Sequence, residues 1–227
     1  MFIGLAWGPI VTRYVFLAMR AYKFLDAQGR APFTLTPWKL GEWVETNTVE
    51  PCHSGVHACR TADLSYWLAP TLWEVELAGP IIETRHKLTA SRGRLVAEVS
   101  GYHGAVIELG EWCAWRARDR ALSALRAAGS QDLADRFQSV ATLQQLIALG
   151  GDLDDSTSIG TAAALAVDTA HFADGGPITE APFIGACSAG HAAAGLDGDQ
   201  VVFDAAYAQE RALQSAWLID RLGLFAS

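Results

Sequence analysis

The residue types most able to do chemistry are concentrated in residues 51–60. Two of the four cysteines and two of the six histidines in the chain fall in this stretch: Cys52, His53, His57 and Cys59. If residues 55–59 are extended, His57 and Cys59 point to the same face, because successive side chains alternate along a strand. An imidazole and a thiol on one face can bind a metal ion or cooperate in nucleophilic catalysis.

Three interpretations of this stretch are open. In the first, His57 and Cys59 bind zinc and Cys52 folds back to join them. Zinc requires four ligands and no Cys-x-x-Cys pair is present, so neither a metal nor another cofactor is predicted. In the second, Cys59 is a nucleophile, because a helix predicted to begin near Thr61 would lower its pKa. In the third and simplest, the strand is half buried, and its cysteine and histidine are core residues with satisfied hydrogen bonds. Within this stretch, His57 is the best functional candidate.

Paired carboxylates and loop tryptophans form a second group of candidates. Glu74 and Glu76 share one face of a strand predicted over residues 72–77, where they could act as general acid and base or simply form a solvated face. Trp38 and Trp43 lie in a loop-rich segment, where they could stack on a ligand or cover the edge of a sheet. For both pairs the structural alternative is the simpler one.

Polar residues on the predicted last helix form a third group. Tyr207, Glu210 and Gln214 share one helical face, where they could line a ligand pocket or dock the helix on the rest of the protein. Cys187 and His191 are four residues apart on another predicted helix, a spacing that can bind metal. The alanines around this last pair favour a packing stripe of small residues instead.

The N-terminal half has the alternating pattern and the turn residues of a β-structure. Strands are predicted over residues 21–25, 42–45, 55–59, 72–77, 81–83 and 94–99. The dipeptide Gly79-Pro80 is predicted to separate the fourth and fifth of these strands.

The C-terminal half is rich in alanine, and glycines punctuate its helical pattern. Helices are predicted over residues 111–128, 132–149, 159–172, 180–194 and 202–222. Gly223 is predicted to end the last helix. Residues 105–109 fit either a last strand or the start of the first helix.

Segregated strands and helices indicate an α+β fold, with a mixed or antiparallel sheet in the N-terminal half packed against an alanine-rich helical C-terminal half. The predicted parts are an apolar N-terminal extension over residues 1–18, a β-rich domain over 19–109 and a helical region over 110–227. Gly8-Pro9 and Arg13 interrupt the apolar extension, so a membrane anchor is not expected.

The net charge of −8 disfavours a general nucleic-acid-binding role, because a negative field repels phosphate. The charges balance up to residue 109, and all of the acidic excess lies beyond it. A small molecule or a protein is therefore the expected partner. Four cysteines in a chain of this length are typical of cytoplasmic thiols rather than of a disulfide scaffold. The sequence gives no indication of the oligomeric state.

The motif Cys-x-x-Gly-Val-His-Ala-Cys at residues 52–59 is followed by a predicted helix and by a strand that ends in Val-Glu-Leu-Ala-Gly. With the Tyr-Lys-Phe run at 22–24 and Gly-Glu-Trp-Val at 41–44, this arrangement resembles a family of uncharacterised bacterial and phage proteins. The resemblance covers about residues 20–99, and the likeness of the alanine-rich tail is general. The family implies no established activity.

The segment Gly55-Val56-His57, followed by a helix and a strand, is also distantly similar to folds of the ADP-ribosyltransferase type. In those folds a histidine in this place contacts a nicotinamide nucleotide. The resemblance implies that His57 binds a nucleotide and that Glu74 or Glu76 supplies the acidic residue. The order of the elements differs, because the catalytic glutamate of that superfamily comes late in the chain.

Two functions follow as hypotheses. The first is an accessory protein that binds a small ligand or a partner in a pocket near His57, with Trp38 and Trp43 close by. The alternative is an enzyme that acts on a nucleotide-like or other small substrate, with His57 as an acid, a base or an orienting residue. An enzyme requires His57 to be accessible and near a second polar group, whereas a structural role requires it to be buried and satisfied.

Overall fold

The computed structural model describes residues 18–177 and 179–224. It confirms the α+β class, with an antiparallel sheet in the N-terminal half and helices in the C-terminal half. The described residues form two compact units, one up to Tyr102 together with Leu224 and the other over His103–Gly223. The predicted N-terminal extension lies, apart from Ala18, outside the described residues.

Within the described residues, five strands make up the sheet of the N-terminal unit. They are β1 (Met19–Leu25), β2 (Trp43–Glu45), β3 (Val56–Ala58), β4 (Thr71–Glu83) and β5 (Leu88–Glu98). The pairs β1–β4, β4–β5, β5–β2 and β5–β3 are all antiparallel. Strands β2 and β3 therefore lie end to end along the same side of β5.

The sheet closes on itself where β3 meets β1. The backbone N–H of Tyr22 donates to the carbonyl of Cys59 at 2.9 Å, and the N–H of Cys59 donates back to Tyr22 at 2.8 Å. Backbone pairing thus runs from β1 through β4, β5 and β3 back to β1. Closure satisfies strand edges that an open sheet would leave exposed to solvent.

The inward side chains of this ring form the core of the unit. Buried members include Leu25, Val75, Leu77, Ile81, Leu88 and Leu95. Val56 and Ala58 of β3 face the same core, with 3% and 7% of their surfaces exposed. Because strand side chains alternate, the His57 side chain lies on the outer side of β3.

The predicted break at Gly79-Pro80 is wrong. The segment is one strand, β4, whose register against β5 shifts between Ala78 and Ile81. Gly79 has a φ of +76° there, and a β-carbon on it would lie 2.2 Å from the Ser91 hydroxyl. A bulge accommodates a glycine–proline pair without ending the strand, which the sequence pattern alone does not distinguish from a break.

The helix predicted after Cys59 is a short 3₁₀ helix over Thr61–Tyr66. Arg60, not Thr61, occupies its N-cap position, and no side chain caps it. Asp63 in its first turn binds Arg60 at 2.6 Å and His86 at 3.1 Å. The element is therefore held by side-chain contacts to the β4–β5 turn rather than by a regular helical cap.

Six α-helices and a 3₁₀ helix follow within the described residues. They are α1 (Tyr102–Ala127), α2 (Gln131–Ser139), α3 (Leu143–Ile147), the 3₁₀ helix (Ala148–Asp152), α4 (Ser158–Ala173), α5 (Glu180–Ala194) and α6 (Gln200–Leu222). Residues 105–109 thus belong to the first helix and not to a strand. The predicted bounds of α5 are confirmed, and Gly223 ends α6 in the left-handed conformation, as predicted.

The single helix predicted over residues 132–149 is wrong, because the chain breaks between α2 and α3. Thr142 caps α3 by accepting a hydrogen bond from the N–H of Gln145 at 3.2 Å. The Gln145 side chain accepts in turn from the N–H of Ala141 at 2.8 Å. This Thr-x-x-Gln pair closely resembles a capping box, a signal for a new helix start inside an otherwise helical pattern.

Small residues let α4 and α5 approach closely within the helical unit. The buried positions on these helices are mostly alanine and glycine: Ala162, Ala163, Ala166, Ala170, Ala181, Gly185, Ala186 and Ala189. The Ser188 hydroxyl donates to the carbonyl of Ala162 at 2.8 Å across the contact. Within the described ranges, no helix combines the length and the apolar composition needed to cross a bilayer.

The start of α4 provides a test of the helical packing. A β-carbon on Gly160 would lie 1.9 Å from the carbonyl oxygen of Asp154. We expect Gly160→Ala to lower the free energy of unfolding by about 1–3 kcal/mol, because the preceding loop must move. The measurement is urea-induced unfolding followed by circular dichroism.

Gly104→Ala is the matched control, because Gly104 is also helical and a β-carbon there would meet nothing within 4 Å. We expect this variant to gain about 0.5–1 kcal/mol, since alanine is the better helix former. Equal effects of the two substitutions would contradict the packing described at Gly160.

Candidate functional site

Register and a glycine set the position of His57. Strand β3 pairs with β5 so that His57 lies opposite Thr89. Gly55, just before the strand, has a φ of +127°, and a β-carbon there would lie 2.4 Å from the Thr89 methyl group. Only glycine allows this close approach of the chain to β5, so His57 and Thr89 are held side by side on one face of the β3–β5 pair.

The His57 side chain is half buried and makes one defined hydrogen bond. Its Nε2 accepts from the backbone N–H of Cys52 at 3.3 Å. Burial, followed by the positive charges of Lys87 and Lys23, lowers the pKa of His57 to about 4. The imidazole is therefore neutral near pH 7, and because Nε2 is the acceptor, its proton resides on Nδ1.

Lys23 is a buried cation next to the same strand. Its Nζ donates to the carbonyl of His57 at 2.8 Å and lies 4.5 Å from the centroid of the Trp38 ring. Burial lowers its pKa to about 8, so the amine remains mostly protonated at neutral pH. The ammonium is held by a carbonyl and an aromatic face rather than by a carboxylate.

Cys52 links His57 to a second lysine. Its N–H bonds to His57, and its Sγ lies 2.8 Å from Lys87 Nζ. Cys52 is exposed and has a φ of +72°, a conformation rare for a residue other than glycine. Lys87 ends the turn before β5, two positions ahead of Thr89. We call Cys52, His57, Lys87 and Thr89 the His57 cluster.

The surroundings of Cys59 favour the structural interpretation of this residue over the nucleophilic one. Cys59 is only 2% exposed, and burial raises its pKa far above the usual range, with a further contribution from Asp63. Burial disfavours the thiolate more than the short helix after it favours that form. Among the described residues, no group of three His, Cys, Asp or Glu side chains is arranged to hold a metal ion.

Glu74 and Glu76 do not join His57. Glu74 binds Arg20 at 2.8 Å, and Glu76 binds Arg94 at 2.7 Å. Arg94, the β5 partner of Glu76, is five residues from Thr89, which corresponds to about 16 Å along the strand. The two carboxylates are ion-paired on a distant part of the sheet, so the structure does not bring the predicted catalytic residues together.

The two predicted ligand-binding tryptophans differ in their surroundings. Trp38 is 8% exposed and packs in the core enclosed by the strands, where Lys23 covers one face of its indole ring. Trp43 is half buried on β2, and the guanidinium groups of Arg92 and Arg94 lie 4.8 and 4.9 Å from its ring centroid. Both aromatic faces therefore contact cations of the protein itself.

The polar residues predicted on the last helix make contacts within the helical unit. Glu210 is 2% exposed and accepts hydrogen bonds from Arg116 at 2.6 and 2.9 Å and from Arg120 at 2.7 Å. Gln214 is fully buried and donates to the carbonyl of Pro182 at 2.7 Å. Tyr207 stacks on Phe203 with a centroid distance of 6.2 Å. The contacts of Glu210 join α6 to α1, and the contact of Gln214 joins it to α5.

His191 also has a partner other than the predicted one. Its Nδ1 lies 3.1 Å from the Ser158 hydroxyl, which also donates to the His191 carbonyl at 3.1 Å. Burial lowers the pKa of His191 and raises the pKa of Cys187 to about 11. The small-residue packing that the alanines favoured describes this part of α5 better than a metal pair does.

A cavity of about 310 Å³ lies in the helical unit, in a region with no predicted site residue. It is lined by the start of α1 and the end of α4, with His103, Ile107, Phe172 and Asp174 among its side chains. The Asp174 carboxylate already accepts from the Gln144 amide at 2.8 Å. The cavity offers a mainly apolar wall and few free polar groups.

Three members of the site were missed from the sequence: Lys23, Lys87 and Thr89. The two lysines are remote from the Cys-His motif along the chain, and no local pattern connects them to it. Thr89 is recognisable only after the register of β3 on β5 is known. The one available signal was composition, because Lys23 and Lys87 are two of the few lysines in a chain whose basic residues are mostly arginine.

Acid stability tests the state of His57. Because the pKa is about 4 in the fold and about 6.5 in an unfolded chain, the unfolded state binds the proton first as the pH falls. The contribution of the neutral His57 to the free energy of unfolding is fully present above about pH 6.5 and is lost as the pH falls towards 4. We expect His57→Gln to lose less unfolding free energy than the wild type across this window in urea titrations. Equal losses in the two proteins would contradict the assignment.

The carboxylate of Glu210 provides a second test. Burial by itself raises the pKa of Glu210, but Arg116 and Arg120 outweigh it and hold that pKa below the usual range. We expect Glu210→Gln to lower the free energy of unfolding by about 2–3 kcal/mol, because two partly buried arginines lose their counter-charge. The effect should shrink as the pH falls through the folded pKa of Glu210.

Glu108→Gln is the control for this substitution. Glu108 binds Arg221 in the same two-point geometry, but both side chains are about half exposed. Solvent screens an exposed pair of this kind, so its loss should change the free energy of unfolding much less than the loss of Glu210 does. Comparable losses in the two variants, measured by urea unfolding, would show that burial of Glu210 does not matter.

Comparison with known proteins assigns no family to the chain. No family model, no curated protein and no solved structure matches it. The resemblance of residues 20–99 to the bacterial and phage family, and the more distant one to ADP-ribosyltransferases, stay expectations. The function is therefore inferred from the geometry of the side chains around His57.

Proposed function

We propose that the N-terminal unit binds a small anionic ligand, such as a phosphorylated or carboxylated metabolite, at the His57 cluster. This proposal refines the hypothesis of a ligand-binding accessory protein with a pocket near His57. It places the ligand on the outer face of the β3–β5 pair, beside Lys87 and Thr89. Lys23 lies behind the strand and contributes its charge without contacting the ligand.

The observation that carries the proposal is the distribution of unpaired positive charge. Within the described part of the N-terminal unit, every lysine and arginine except three forms an ion pair with a carboxylate. The exceptions are Lys23, Arg85 and Lys87. Lys87 and Lys23 both act on His57, and Arg85 lies in the turn that carries Lys87. Uncompensated cations grouped at one place attract an anion.

Hydrogen-bond donors accompany this charge. The Nδ1–H of the neutral His57 ring points away from the nitrogen that Cys52 occupies, so it is able to donate to a ligand. The Thr89 hydroxyl is fully buried and has no hydrogen-bond partner among the described residues. A buried hydroxyl without a partner costs free energy, which a ligand oxygen or an ordered water would recover.

An aromatic surface adjoins the lysine. Lys87 Nζ lies 5.8 Å from the centroid of the half-buried Trp67 ring, and Trp67 is fixed by a 2.6 Å bond from its Nε1 to the His86 carbonyl. Tyr66 stacks on the His86 ring at 3.8 Å. An aromatic side chain next to an anion site suits a ligand that combines a negative group with a planar ring.

The ligand is expected to be small rather than polymeric. The charges of the chain balance up to residue 109, and in the described part of the N-terminal unit the cations without a carboxylate partner are Lys23, Arg85 and Lys87. A nucleic acid would place many phosphates outside the neighbourhood of these cations, where acidic side chains repel them. One or two negative groups match what Lys87 and Arg85 can neutralise.

Titration calorimetry with three probes, pyrophosphate, adenosine monophosphate and citrate, tests the proposal at low ionic strength. We expect pyrophosphate at least to bind the wild type. We expect Lys87→Gln to weaken that binding about tenfold or more, because a charge-assisted hydrogen bond contributes about 1.5–3 kcal/mol.

Lys39→Gln is the matched control, because Lys39 is an exposed lysine of the same unit that pairs with Glu42. The Lys39→Gln variant should bind the probe with the same affinity as the wild type. If none of the three probes binds, or if both substitutions weaken binding equally, the proposed site is wrong.

An enzyme acting on a nucleotide-like substrate is the second candidate, favoured by the Trp67 ring beside Lys87. A neutral His57 with its proton on Nδ1 suits an orienting role better than a proton-donating one. Incubation with NAD⁺, followed by phosphorus NMR, separates the two candidates. A binding protein leaves NAD⁺ intact, whereas an enzyme of this type consumes it and loses that activity in His57→Ala.

A further inference from the structure

Cys52 and Lys87 form a contact whose chemistry goes beyond ligand binding. Lys87 Nζ lies 2.8 Å from Cys52 Sγ, and both residues are accessible to solvent. Of the other cysteines, Cys59 and Cys113 are buried. Cys187 is partly exposed in the helical unit, where the sequence contains no lysine. Cys52 is thus an exposed thiol held directly against an amine.

The backbone fixes both ends of this contact. Cys52 lies in a tight turn in which Glu50 and Ser54 exchange backbone hydrogen bonds at 2.8 Å each, and its own N–H is bound by His57. The carbonyl of Lys87 accepts from the N–H of Thr84 at 2.9 Å. If the sulfur is oxidised, its reaction with an amine held in this position is intramolecular, which greatly favours bond formation between them.

We propose that Cys52 and Lys87 are a site of oxidative modification, at which hydrogen peroxide converts the contact into a covalent sulfur–nitrogen bond. In the first step, the Cys52 sulfur attacks one peroxide oxygen. The S–O bond forms as the O–O bond breaks, and the departing hydroxide takes up the thiol proton as water. Sulfur is oxidised by two electrons to a sulfenic acid, and the peroxide is reduced.

In the second step, the Lys87 ammonium releases one proton to solvent, and the resulting amine attacks the sulfenic sulfur. The S–N bond forms as the S–O bond breaks, and the leaving hydroxide takes one proton from the nitrogen as a second water. This condensation is the side-chain counterpart of the known sulfenamide formation with a backbone nitrogen. One peroxide is consumed, two waters are released and no further oxidant is required.

The modification would act on the proposed ligand site. A sulfenamide nitrogen does not carry the positive charge of an ammonium group, so the bond removes one of the unpaired cations next to His57. If the proposed function is correct, oxidation should weaken pyrophosphate binding about as much as Lys87→Gln does. Reduction by a thiol should restore it, because thiols cleave sulfenamides.

Peptide mass spectrometry of the full chain, treated with hydrogen peroxide and then digested, tests the cross-link independently of any binding. We expect the peptide with Cys52 joined to the peptide with Lys87, two hydrogens lighter than their sum, and released by dithiothreitol. Lys87→Arg and Cys52→Ser should each abolish it. The partly exposed Cys187 serves as the internal control and should form no bond to lysine.

Two results would overturn the proposal. In one, Cys52 is oxidised to sulfinic or sulfonic acid while Lys87 stays unmodified. In the other, the cross-linked peptides retain the peroxide oxygen, which contradicts the condensation step. A cross-link without any change in pyrophosphate affinity would uphold the modification and refute its link to the ligand site.

Discussion

The register of β5 is the constraint on which the N-terminal unit depends. This strand pairs with β4 on one side and with β2 and β3, end to end, on the other. Its alignment sets His57 beside Thr89 at one end and Trp43 beside Arg94 at the other. A slip of one residue would turn His57 into the core and Val56 out of it, because strand side chains alternate. The separation of the two polar regions of the sheet therefore follows from one strand alignment.

These two regions differ in how their charges are balanced. Around Trp43, arginines and glutamates alternate across the strands and neutralise one another. Around His57, two lysines share the neighbourhood of a ring that stays neutral, and Thr89 lacks a partner among the described residues. Stability alone would favour a carboxylate next to such cations or a nonpolar residue in their place. An uncompensated cluster is typical of a surface shaped by a ligand.

Much of the fold was predictable, because the spacing of apolar residues and the positions of turn and cap residues decide the type of each element. The α+β class and the bounds of α5 were predicted from local sequence. The bulge at Gly79-Pro80 and the start of α3 at Thr142 were missed, because each resembles a different local feature.

The site was predictable only in part. His57 was identified from its motif, but Lys23, Lys87 and Thr89 reach it through long-range pairing that no short pattern encodes. The burial of Cys59, which the sequence left open among three interpretations, depends on the closure of β3 onto β1.

Anion binding on the outer face of the β3–β5 pair can be followed residue by residue, through the backbone amide chemical shifts of the labelled protein during a titration with pyrophosphate. We expect saturating shifts that are largest at Cys52, His57, Lys87 and Thr89 and small at Glu74, Glu76 and throughout α1 to α6. Shifts centred on the helical unit or on the Glu74 and Glu76 face, or no shifts at all, would contradict it.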